Sequence, residues 1–176
     1  MVTIIGGGIG GLTLAAILTR NGIRCIVHDA DLTVNSRHQG GMLNINEGGP
    51  HDALIAAGVY DGFLSKVLAG GDAFKLMNKT GEVLIEEPGD GSRPEIDRGS
   101  LRELLAVSLP LGLVRWNSKA VKIEPADSGH RLTFADGHIE NTELLIGADG
   151  VWSKVRPLLT RQRRSIRASP LSNTDI

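Results

Sequence analysis

The chain has one cysteine, six aromatic side chains (two Trp, one Tyr, three Phe) and no surplus of either charge, with 19 basic against 20 acidic residues. Each scarcity removes a class of protein. Cys25 alone cannot close an internal disulfide or supply zinc-ligand spacing, and thiol scarcity agrees with a reducing compartment. The aromatics are scattered, so they build no base-stacking platform. A net charge of −1 leaves no overall field for nucleic acid or an anionic membrane. Apolar runs such as Leu14–Leu18 end after five residues, far short of the ~20 that cross a bilayer. The N-terminus opens at once on a strand and a glycine loop, with no basic leader or cleavage site. The expectation is a cytoplasmic protein with neither a nucleic-acid nor a membrane partner.

What the chain does have is glycine, and five of the six positions from 6 to 11 are glycine in the stretch "VTIIGGGIGGLTLAAIL". Val2 to Ile5 read as a short buried strand and Gly10 to Asn21 as a helix stopped by Gly22. Arg24 to Asp29 read as a second strand. Strand, glycine turn, helix and strand in about thirty residues form a βαβ unit, with the two strands parallel by the right-handed crossover rule. Gly6, Gly8 and Gly11 fit G-x-G-x-x-G in its required context. Gly6 permits the tight turn, Gly8 lets backbone touch a pyrophosphate, and Gly11 lets helix pack on strand. The helix N-terminus supplies N–H groups for the phosphates. Asp29 ends the second strand, 18 residues after Gly11, where a carboxylate accepts from an adenosine ribose and repels a 2′-phosphate. This spacing fits FAD and NAD alike.

Further along, residues 31–41 read as loop and "MLNI" as a short strand. Pro50 to Gly58 and Tyr60 to Leu68 read as helices. Ala73 to Met77 and Val83 to Glu86 read as a hairpin, and Ser100 to Leu109 as a helix. Short strands follow at Val114 to Trp116, Ala120 to Ile123, Arg131 to Phe134 and Thr142 to Ile146, with "ADGH" as a turn. A last helix is expected after Gly150, fading near Thr160, for which Asp149 is a candidate N-cap. The five histidines show no ligand spacing and read as surface or loop residues, and Cys25 reads as core. Residues 161–176 carry four arginines in "RQRRSIR" and then turn polar. They read as a disordered basic tail.

Four stretches, "VTIIGGGIGGLTLAAILTRNGIRCIVHDAD", "SRHQGGMLNI", "PEIDRGSLRELL" and "ELLIGADGVWSKVRPLL", resemble in order and spacing the FAD-dependent aromatic hydroxylases, the family of para-hydroxybenzoate hydroxylase. The branch they resemble most contains the tetracycline-inactivating monooxygenases and many secondary-metabolism hydroxylases. The resemblance covers residues 2 to about 160. It implies an α/β fold: a Rossmann-like FAD-binding domain over residues 1–160 with a parallel sheet, inserted helices and a hairpin at about 50–90 that begins a substrate-side β layer.

By position, the resemblance implies that Asp29 binds the ribose and that Arg37 reaches flavin or the nicotinamide cofactor. Asn44 stands where the branch has an acidic flavin contact, an amide that cannot supply charge. Arg98 matches an arginine binding FAD phosphate or adenine, and Arg102, one turn on, shares that face. Asp149 and Gly150 form the family's Asp-Gly motif. Arg37 and Arg98 also read as ordinary surface ion-pair residues.

The family's second flavin motif, a downstream Gly-Asp, has no match here, and family members are about twice this length. The resemblance therefore implies a partial form of an enzyme in which FAD, reduced by NAD(P)H, activates O₂ and hydroxylates a small organic substrate. No side chain stands out as a catalyst. The alternatives are a non-catalytic flavin- or nucleotide-binding remnant, or half of a split enzyme completed by another chain. A plain NAD-binding module is a third.

Overall fold

The computed structural model describes residues 1–160 except positions 69 and 92. The tail expected to be disordered, 161–176, lies outside the described residues. Four parallel strands form the central sheet. Val2–Ile5 (β1) sits inside it, Cys25–His28 (β2) and Leu144–Gly147 (β11) flank β1, and Val114–Arg115 (β7) lies outside β2. Every residue of β1 is buried, as an apolar run paired on both edges requires.

Ile9–Arg20 (α1) is the crossover helix between β1 and β2. Gly49–Ala57 (α2) and Arg98–Val107 (α4) pack on it. Ile4, Leu12, Ala15, Val27, Leu101 and Leu105 share the main core there. The α2 helix ends at Gly58, whose left-handed backbone suits glycine. Tyr60–Leu64 (α3) is shorter than its sequence suggests, because the Ser65 hydroxyl donates to the Gly62 carbonyl and the chain turns away.

On the other side of the sheet lies an antiparallel meander of Ala120–Ala126 (β8), Gly129–Phe134 (β9) and Ile139–Thr142 (β10). With Ile5 and Val155, its Ala120, Leu132 and Phe134 form a second, smaller core. The strand expected over Thr142 to Ile146 is two strands. Residues up to Thr142 pair with β9, and from Leu144 the chain pairs with β1, so it changes sheet at Glu143. Gly129 makes this possible, since a Cβ there would collide with the Thr142 carbonyl.

Met42–Asn44 (β3) pairs with Glu95–Asp97 (β6), a strand without a signal in the sequence. Phe74–Met77 (β4) and Val83–Glu87 (β5) form a separate, exposed hairpin, as expected. The helix expected after Gly150 is instead two 3₁₀ turns, Gly150–Trp152 and Arg156–Leu158, separated by an extended Ser153. Side chains replace the helical bonds. The Asp149 carboxylate accepts from the Lys154 N–H, and the Arg156 guanidinium donates to the carbonyls of Gly150 and Val151.

Gly10 and Gly11 are adjacent on α1 but sit differently. A Cβ on Gly10 meets nothing, whereas one on Gly11 collides with the Gly6 carbonyl. Gly10→Ala should therefore stabilise the fold by ~0.4–1 kcal/mol through the unfolded chain. Gly11→Ala should cost ~1–3 kcal/mol by overpacking. Urea unfolding of the two variants measures both, and equal shifts would contradict the packing described.

Candidate functional site: a glycine-loop cleft

The carboxyl ends of β11, β1 and β2 open into one cleft of about 510 Å³. Gly6, Gly8, Asp29, Arg37, Asp149 and Gly150 all line it, which brings six of the ten sequence-selected residues together. At its base Gly6 has φ +110°, and a Cβ there would strike the Ala148 carbonyl, so the loops after β1 and β11 touch backbone to backbone. Gly8 is the N-cap of α1 and has no side-chain cap. A Cβ at Gly8 would point into open space. That space lies against the first-turn N–H groups, which no helix satisfies internally, and it is the size-limited position that an anion at the helix N-terminus requires.

Asp29 is buried, and its carboxylate accepts the Gly7 N–H at 2.5 Å and the Asp31 N–H at 2.8 Å. One carboxylate thus ties the end of β2 to the glycine loop. Asp149 also lines the cleft; its Oδ2 accepts from the Lys154 N–H, while Oδ1 is buried without a hydrogen-bond partner. Asp149 does not cap a helix by its side chain. An open Cβ position at a helix N-cap and two aspartates lining the same cleft fit an elongated dinucleotide that brings both phosphates and hydroxyl donors.

The four other residues fall elsewhere. Gly11 lies under the loop, as packing requires. Arg102 is fully buried rather than on a ligand-facing surface with Arg98. It donates from Nε to the Gly7 carbonyl (2.8 Å) and from Nη1 to the Val34 carbonyl (2.9 Å), and Nη2 lies 2.9 Å from Asp31 and 3.5 Å from Asp29. Its guanidinium also lies over the Trp116 ring, 5.1 Å from the centroid. Arg98 is exposed at the first position of α4 and does not line the cleft. Asp97 before it caps α4 through the Ser100 N–H, a bond that holds the Asp97 carboxyl below its ordinary value. Asn44 is exposed and pairs with Glu95 across β3 and β6. Arg37 is exposed, and its Nε bonds both oxygens of Asp31 at 2.9 and 3.1 Å.

The sequence reading missed His28, which is buried rather than a surface or loop residue. Its Nδ1 lies 2.8 Å from the Ser118 hydroxyl, and its Nε2 lies 3.3 Å from Glu140 Oε2, off the hydrogen-bond direction. Phe134 packs on its ring at 4.5 Å. Burial pushes the imidazole below its ordinary value, against the pull of Glu140. Among the described residues no group of His, Cys, Asp or Glu could hold a metal ion, and no helix is long and apolar enough to cross a membrane.

No protein-family model matches the chain. Individual relatives do. The monooxygenase asqM of Emericella nidulans is 32% identical over 94% of this chain and 41% of its own length. An FAD-containing monooxygenase of Photorhabdus luminescens superposes with a TM-score of 0.75 at 32% identity, over 89% of this chain and 41% of that one. The tetracycline destructase Tet(51) superposes with a TM-score of 0.70 at 26% identity, over 88% and 40%. The homologues of this chain are thus FAD-dependent monooxygenases of the aromatic-hydroxylase kind, as the four motifs imply. The chain spans about 40% of their length.

The lowered value of His28 sets a pH dependence. The folded state binds this proton more weakly than the unfolded chain does. Its contribution to stability is therefore complete above the ordinary imidazole value of 6.5 and is lost as pH falls from there through the lowered folded value. Melting temperature should drop across that window in the wild type, and His28→Gln should remove that part of the slope. Parallel curves for the two proteins would contradict it.

Proposed function

We propose that this chain is the adenosine- and pyrophosphate-binding portion of an FAD-dependent monooxygenase, dependent on NAD(P)H and O₂, that hydroxylates a small organic molecule. The observation that carries the reading is the open Cβ position of Gly8 at the N-cap of α1, in a cleft that Asp29 and Asp149 also line. Bound FAD would supply the redox and oxygen-activating chemistry. The residues of this chain bind and orient. Gly8 and the first turn of α1 would receive the pyrophosphate, Asp29 would accept from the ribose, and Asp149 would lie along the same cleft. Arg37, paired with Asp31 at the cleft, would offer the phosphates a positive charge. Arg98 and Asn44 lie on the β3–β6 side and are candidates for contacts farther along the cofactor. Arg102 holds the Gly7 carbonyl and the Asp29 carboxylate in register. A small-molecule substrate and a cytoplasmic location go with this reading.

Gly8→Val tests the binding mode. The new side chain would fill the phosphate position without touching the core. The variant should fold like the wild type and lose FAD binding by at least about 100-fold in titration calorimetry. Wild-type FAD affinity in a folded variant would remove the site.

A second reading is a flavin- or nucleotide-binding polypeptide without turnover of its own, or one completed by another chain. Water exclusion around the reacting ring is a whole-pocket property. The 176-residue polypeptide supplied with FAD, NADPH and O₂ should oxidise NADPH slowly, with nearly all electrons recovered as peroxide. Tight coupling to a hydroxylated product would show that the ring pocket is built from this chain and would overturn the second reading.

A further inference from the structure

We infer that the Ser118 hydroxyl is the group that selects the adenine base at this cleft, by accepting a hydrogen bond from the exocyclic amine in a direction that His28 and Glu140 enforce. The inference rests on the nucleotide reading above and deepens it to one base and one atom.

The sheet order supplies the placement. Across the carboxyl edge come the glycine loop after β1, Asp29 after β2, and Ser118 just after β7. With pyrophosphate at Gly8 and ribose at Asp29, the base extends over β7, and Ser118 lines the cleft there with Lys119 and Ala120. Ser118 is fixed to its neighbour, because its N–H donates to the Asp29 carbonyl at 2.7 Å. The hydroxyl that reads the base is therefore held one hydrogen bond from the residue that reads the sugar.

The polarity of that hydroxyl follows from the imidazole behind it. Glu140 lies 3.3 Å from His28 Nε2, so its charge favours the proton on that nitrogen. Nδ1 is then a lone pair, and the Ser118 Oγ–H donates to it across 2.8 Å. With its proton committed inward, Ser118 presents only lone pairs to the cleft. An amine donor satisfies it, and a carbonyl oxygen faces it lone pair to lone pair. Adenine is accepted, and hypoxanthine, which differs by an oxo group in place of the amine, is opposed. A ribose hydroxyl, which can donate or accept, would show no such discrimination.

Protonation of His28 reverses the arrangement. Nδ1 then donates to Ser118, whose proton turns toward the cleft. The groups that decide when this happens come from every side. Glu140 on β10 favours the cation, while Arg115 on β7, His138 before β10 and burial beneath Phe134 of β9 oppose it. His138 shares Glu140 at 3.0 Å. In the cleft itself, Asp29 and Lys119 face the pair with opposite charges.

The experiment measures ADP, IDP and FAD affinities by titration calorimetry for the wild type, Ser118→Ala and Glu140→Gln, with circular dichroism to confirm folding. At about pH 8 the wild type should bind ADP about tenfold more tightly than IDP. Ser118→Ala should bring the two within about twofold, mainly by weakening ADP. Glu140→Gln should shrink the ratio while leaving Ser118 in place. In the wild type the ratio should also shrink as pH falls below the ordinary imidazole value and His28 takes its proton, a readout that needs no variant. FAD binding without an ADP-over-IDP preference, or a preference that survives Ser118→Ala, overturns the inference and leaves the nucleotide site standing. Binding of neither ADP nor FAD overturns both.

Discussion

Arg102 lies fully buried between the carbonyls of Gly7 and Val34 and the carboxylates of Asp29 and Asp31. A buried guanidinium survives only when its donors are matched, and removing a partner from such a group typically costs ~3–5 kcal/mol. Satisfying it fixes three pieces of chain that are otherwise independent: the glycine loop, the end of β2, and the loop that follows. Asp29 then bonds the Gly7 N–H while Arg102 bonds the Gly7 carbonyl. Both polar groups of that residue are held from one side. The glycine loop is therefore shaped before any ligand arrives, which is what preorganisation of a phosphate site means.

From that clamp the cleft follows strand by strand. Gly6 and Gly11 allow close approach to Ala148 and to each other, and Gly8 leaves room on the opposite face. The same residue type thus serves packing at two positions and vacancy at one. The meander contributes less obviously. It carries Phe134 and Glu140 to His28, so a β layer far along the chain sets the surroundings of the imidazole that bonds Ser118. Exposed and buried charges divide accordingly. Arg37 pairs with Asp31 at the surface, where such a pair is worth little, and Arg102 pairs with the same carboxylate inside.

How much of this the sequence carries depends on the range of each signal. The unit from Val2 to Asp29 was legible because glycine spacing, strand composition and the terminal carboxylate are all local. The switch of sheet at Glu143 was not, because "ENTELLIG" reads as one apolar-containing run and the change of partner is a tertiary event. Arg102 was assigned to a ligand-facing surface from its four-residue spacing to Arg98. That rule relates positions along a continuous face, but Arg98 is at the helix start and exposed, while Arg102 lies between the buried Leu101 and Leu105 and enters the interior. His28 looked like a surface residue because Ser118 and Glu140 are distant in sequence, and no spacing rule joins them. The two 3₁₀ turns after Gly150 replace a helix because Asp149 and Arg156 satisfy the local backbone by side chains.

The pairing of Val2–Ile5 with Leu144–Gly147 has a temporal meaning. The fully buried strand at residues 2–5 takes one of its two neighbours from residues 144–147, and contacts so distant in sequence are slow to form because the loop between them must close first. During synthesis β1 has β2 and α1 for company early, and its other edge stays open until residue 147 emerges. That open edge is a flat apolar strand, the kind of surface that recruits foreign strands. Until β11 arrives to cover it, that edge of β1 is the place where the folding chain is open to a wrong partner.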